Sequence, residues 1–139
     1  MWTRRLFAGV FPLLLRGDEK PPTLELLTSL AAHLSAGNQP GALETFAKKM
    51  PGYQDLAANI GALTAQYDIL CVIEIRDESG DGLQRMAETE WFLELHSKEE
   101  NGPTERRQQV VRISTEKLDG KWRITGFIPR SILDPPKVA

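Results

Sequence analysis

Six consecutive residues, Asp119-Gly120-Lys121-Trp122-Arg123-Ile124, constrain the fold of this chain more than any others. Asp-Gly accepts the positive backbone angles of a short hairpin turn, and alternation starts at once through Trp122, Ile124, Gly126 and Ile128. A hairpin needs a partner strand, and residues 106–117 supply one, with Val111 and Ile113 sharing parity against Arg112 and Ser114. Two further runs alternate upstream. Ile69, Cys71, Ile73 and Ile75 define one inner face; Ala87, Thr89, Trp91, Leu93 and Leu95 define another, backed by Glu88, Glu90, Glu94 and His96. With a polar loop at residues 77–82 and a turn at Asn101-Gly102, the chain predicts a four-stranded antiparallel meander.

Three helices precede it. Leu24, Leu27, Leu30, Ala31 and Leu34 form one face of a helix that starts near Thr23 and stops at Gly37-Asn38. Pro40 suits the first turn of a second helix, in which Leu43, Phe46, Ala47 and Met50 repeat until Pro51-Gly52. In a third, Tyr53, Leu56, Ala57, Ile60, Leu63, Thr64 and Tyr67 make a long stripe that must pack on something as broad as a sheet. The fold class is therefore α+β, three helices on a four-stranded antiparallel sheet. Keeping the apolar parities of the middle strands on one face sets Glu90 opposite Arg112 or Ser114. Either register puts Glu88, Glu90 and Glu94 on the face that carries Arg106 and Arg112, a ladder of exposed charge pairs. With Met86 and Phe92 among the charges, this outer face also reads as a dimer surface.

The 139 residues, 41% of them apolar, suit one domain with one core, over residues 23–134, followed by a short tail at 135–139. Seventeen basic residues against nineteen acidic ones give a net charge of −2, without the basic stripe that neutralises phosphates, so no nucleic-acid partner is expected. Cys71 is the single cysteine and sits in an apolar strand, where it reads as a small buried hydrophobe. Residues 1–22 differ in character. Thr3-Arg4-Arg5-Leu6-Phe7 resembles the twin-arginine export consensus, and the apolar run at 6–15 is too short to span a membrane as a helix. No small-residue cleavage site follows Leu15, so this segment reads as an export signal, an uncleaved membrane-associating segment or an ordinary helix. Export to the periplasm or beyond is the expected location, with a cytoplasmic one left open.

The order of three helices and a long meander ending in Asp-Gly-Lys-Trp-Arg-Ile resembles the nuclear transport factor 2-like superfamily, which includes SnoaL-like cyclases and ketosteroid isomerase. The resemblance covers residues 23–133. It implies a curved sheet wrapped on the long helix as a cone with an apolar cavity, and a tendency to form homodimers through the sheet. Many members place a short strand between the second and third helices; residues 50–53 leave almost no space for one, so a pruned cone is expected.

On that reading, Tyr53, Ile60, Tyr67, Trp91, Leu93, Val111 and Trp122 line a pocket for a small apolar ligand. An isomerase-type site needs an inward carboxylate as base and a donor to an oxyanion, and the inward parities here are apolar. Asp68, His33 and Tyr53 are the catalytic candidates that remain, each with an ordinary reading as a turn, boundary or core residue. Asp77, Ser79, Asp81, Gly82 and Glu88 fall at positions 1, 3, 5, 6 and 12 of a calcium-loop pattern. A strand precedes them, Gln84 replaces the usual apolar residue and Arg85 adds positive charge, so a hairpin loop without metal is expected. No cofactor motif is present. Two readings follow: a noncatalytic module for a small apolar ligand or for protein association, or a small cofactor-independent isomerase, cyclase or dehydratase.

Overall fold

The computed structural model of the chain describes residues 9–11 and 22–136. Helix α1 (Pro22–Ser35) buries the expected face, Leu24, Leu27, Leu30, Ala31 and Leu34. It closes as a Schellman motif: Gly37 takes φ +70°, its N–H donates to the Leu34 carbonyl, and the Asn38 N–H donates to that of His33. Asn38 then caps helix α2 (Gln39–Glu44), its side-chain oxygen accepting the Gly41 N–H at 3.1 Å.

Helix α2 ends six residues earlier than the Leu43, Phe46, Ala47, Met50 repeat predicts. The reason is tertiary. Ala47 donates its N–H to the Ile124 carbonyl and Ile124 donates to that of Thr45, both at 2.8 Å, so Phe46 forms a parallel bridge to Ile124. Phe46, Ala47 and Met50 are buried as expected, but from an extended segment at the sheet edge. This bridge lies in the connection between the second and third helices, upstream of residues 50–53. Helix α3 (Tyr53–Gln66) follows Gly52, held at φ +79°, and buries Leu56, Ile60, Leu63 and Thr64.

Strands β2 (Tyr67–Gly80), β3 (Gln84–Ser97), β4 (Thr104–Leu118) and β5 (Lys121–Ile128) form the antiparallel meander, in that order. A further strand, β1 (Gly9–Phe11), pairs parallel to β2 opposite Val72, Ile73 and Glu74. The apolar run at 6–15 hides this strand, because a continuous apolar stretch carries no period. The rest of the leader-like segment, and residues 137–139 of the tail, lie outside the described residues. No helix among the described residues is long and apolar enough to cross a membrane.

Two features of the meander differ from the sequence reading. The β3–β4 register is shifted from both expected alternatives: Glu90 pairs with Val110, Glu88 with Arg112 and Glu94 with Arg106. The turn fixes it, with Asn101 at φ +63° and Ser97 N–H bonded to the Pro103 carbonyl. In β5, alternation breaks at a bulge. Ser114 pairs with Gly126 but Thr115 with Ile124, so Thr125 is the extra residue, Phe127 rather than Gly126 enters the core, and Ile128 turns outward. A second bulge, at Arg76, interrupts β2. The core joins all three α-helices to the inner sheet face and to the 3-10 turn at Arg130–Leu133, where Ile132 and Leu133 are buried.

Candidate functional site

The inner sheet face is deeply buried. Trp91 has no exposed surface and meets Phe127 edge-on, with ring centroids 5.2 Å apart; Phe127 meets Phe46 at 5.8 Å. The Trp91 indole N–H donates to the Thr89 hydroxyl at 3.0 Å, and that hydroxyl donates to the Val111 carbonyl at 2.8 Å. Of the residues expected in the pocket wall, Ile60, Trp91, Leu93 and Val111 are buried in one cluster, Tyr53 and Tyr67 pack half-buried against it, and Trp122 is half-buried. Cys71 lies fully buried among them, and burial pushes its thiol far up, which keeps it protonated and unreactive.

Among the described residues, two open clefts border this core. One, of about 460 Å³, runs between α3 and the C-terminal turn and is lined by Asp55, Asn59, Arg130 and Asp134 among others; Asn59 donates to Asp134 at 3.1 Å. The larger, of about 770 Å³, lies between the segment after α2 and the β4–β5 turn. Tyr53 lines it; Ile60, Tyr67, Trp91, Leu93, Val111 and Trp122 line neither. Asp68 is exposed at the start of β2, opposite His96, and His33 is on α1 with its Nδ1 at 3.1 Å from the Asn38 amide. Neither lines a cleft described here, so the three catalytic candidates are not brought together.

The calcium-like pattern is resolved into hairpin structure. Strand β2 continues through the expected loop to Gly80, which places Asp77 opposite Glu88 and Ser79 opposite Met86. Asp81 makes the turn: its Oδ1 accepts the N–H groups of Leu83 and Gln84 at 2.8 and 2.9 Å, which lowers its carboxyl below the ordinary range. Among the described residues, no group of three or more His, Cys, Asp or Glu side chains is placed to hold a metal.

The outer sheet face carries the most organised chemistry. Glu90 is buried there, its two oxygens accepting from Arg76 at 2.7 Å and Gln108 at 2.5 Å. Glu94 accepts from Arg106 Nε at 2.5 Å and lies 2.7 Å from His96 Nε2; these partners hold its carboxyl below 4.5. Through these charges runs a diagonal of apolar side chains. Val72 is directly opposite Phe92, Val110 is diagonal to Phe92 on β4, and Ile128 is diagonal to Val110 on β5. Val110 and Ile128 are 46% and 70% exposed, with Leu70 and Met86 exposed on either side.

Some of this lay beyond sequence reasoning. Alternation alone puts Ile128 inward, because the bulge leaves no mark in the sequence. Arg107 has inward parity among apolar neighbours, and its guanidinium donates to Glu105 at 2.6 Å and to the Ile132 carbonyl at 2.8 Å, fastening the C-terminal turn. The signal was available in the parity of Val111, continued back along β4.

No family model and no curated protein matches the chain. Solved structures do. A nuclear transport factor 2-like protein from Shewanella oneidensis aligns at TM-score 0.61 and 13% identity, covering 76% of this chain and 93% of that one. A candidate scytalone dehydratase from Novosphingobium aromaticivorans aligns at TM-score 0.62 and 11% identity, over 74% of this chain and 76% of that one. A candidate calcium/calmodulin-dependent protein kinase II association domain from Xanthomonas campestris aligns at TM-score 0.62 and 19% identity, over 76% and 81%. The chain therefore has the nuclear transport factor 2-like fold, three helices on an antiparallel sheet. This scaffold carries neighbours of differing description, so function has to be argued from sites.

Proposed function

We propose that this protein is a noncatalytic association module that pairs with a second copy of itself through the outer face of its sheet. The observation that carries this reading is the exposed apolar pair Val110 and Ile128, with Leu70 and Met86 exposed on the same face, set between the carboxylates of β3 and the guanidinium groups of β4. A two-fold contact needs a self-complementary patch, and a face with an apolar seam flanked by both signs of charge meets that need. Ile60, Trp91, Leu93 and Val111 are buried and line neither of the two clefts described, which favours association over a ligand held beside those residues. The isomerase, cyclase or dehydratase reading gains nothing from His33, Asp68 and Tyr53, which stand on separate elements.

Sedimentation velocity tests it. The wild-type chain is expected to sediment as a dimer at micromolar concentration, and the Val110→Glu/Ile128→Lys variant as a folded monomer with an unchanged far-ultraviolet spectrum. A monomeric wild type, or a variant that dimerises as the wild type does, overturns the reading.

A further inference from the structure

The larger cleft brings together residues that the sequence keeps apart. Pairing of Thr45 and Ala47 with Ile124 lays the segment after α2 against β5, which brings Lys48, Lys121 and Arg123 into the lining of one cleft. Its accessible apolar lining is Leu43, Leu118 and the ring of Tyr53, all part-exposed, with Phe46 and Ala47 buried behind them. Four cations (Lys48, Lys49, Lys121 and Arg123) and two carboxylates (Glu44 and Asp119) line the cleft. Lys49 is matched by Glu116 at 3.2 Å, which leaves three cations against two acids, an excess of one positive charge in a chain of net charge −2.

The cations are not spent on one another's neighbours. Arg123 gives one N–H, from Nη1, to the Glu44 carbonyl at 2.7 Å and keeps the rest of its fork. The ammonium groups of Lys48 and Lys121 and the hydroxyl of Tyr53 make no hydrogen bond or ion pair among the described residues. A volume of about 770 Å³ is within the range of small-molecule sites, roughly 300–1,000 Å³.

We propose that this cleft binds a small amphipathic monoanion, a carboxylate held by Lys48, Lys121 and Arg123 with its apolar body on Leu43, Leu118 and Tyr53. A carboxylate loses less hydration on entering this partly apolar cleft than a doubly charged phosphate does, and the apolar lining selects against an inorganic ion. Free aromatic acids and fatty acids share this head-group chemistry, and one experiment separates them.

Naphthalene-2-carboxylate and decanoate are titrated into the full chain by isothermal calorimetry, beside the neutral 2-naphthylmethanol and decanol. Saturable binding is expected for at least one acid, about tenfold tighter than for its alcohol and weakened by salt. The acid that binds identifies the source. Lys48→Glu/Lys121→Glu is expected to lose about tenfold in affinity or more, and the milder Lys48→Ala/Lys121→Ala to lose less; all four changes are at exposed positions, and the melting temperature checks the fold. The Val110→Glu/Ile128→Lys monomer is expected to bind as the wild type does, so failure here and failure of the sheet contact are told apart. The proposal is overturned if neither acid saturates, if acid and alcohol bind equally, or if the charge-reversed protein binds like the wild type.

Discussion

Trp91 shows how one polar atom governs a buried aromatic. Its indole N–H needs an acceptor in a dry core, and the Thr89 hydroxyl is that acceptor because its own proton is already given to Val111. Thr89→Val keeps shape and β-branching but orphans the indole donor. It is expected to destabilise the fold by about 1–3 kcal/mol, read as a lower urea midpoint at unchanged slope. Parity alone placed Trp91 inward, and that was legible. Its hydrogen-bond partner two residues away was not, because a threonine among apolar residues looks like any β-former.

At the scale of elements, charge is organised by strand pairing. Arg106 on β4 and His96 on β3 both hold Glu94 in its ionised form, so its folded value lies below the ordinary 4.5. A carboxyl lowered in the folded state contributes stability that is present above its unfolded value and lost as pH falls through the folded one. Glu94→Gln is therefore expected to lower stability at neutral pH, with the gap to wild type closing as pH drops below 4.5 and narrowing in salt. Urea titrations across that pH range check this; a gap independent of pH refutes it. The acidic and basic strands were readable from alternation, but their register was not, since it belongs to the turn at Asn101. Helix α2 fails for a related reason: Leu43, Phe46, Ala47 and Met50 suit a helix, and the edge of β5 makes a better partner for the backbone around Phe46.

Across the whole molecule, one core reaches from α1 to the last described turn. Leu133 is as buried as the helix residue Leu63, and the turn is tied back by Arg107 to the Ile132 carbonyl and by Asn59 to Asp134. Leu133→Ala is expected to cost about 2–5 kcal/mol, comparable to Leu63→Ala, in the same urea measurement. A loss well under that range would show that the C-terminal turn is peripheral. The sheet thus divides the protein's work: one face packs on the helices, and the other keeps Leu70, Met86, Val110 and Ile128 exposed.

The extra residue at Thr125 makes these two faces share a single reading frame. Without the bulge, the side chain that meets Trp91 and the one proposed to meet a second copy would exchange sides. Phe127 and Ile128 are adjacent, so any insertion or deletion nearby alters interior and exterior together. Evolution of the contact surface at this corner is confined to substitution, with chain length held fixed by the packing behind it.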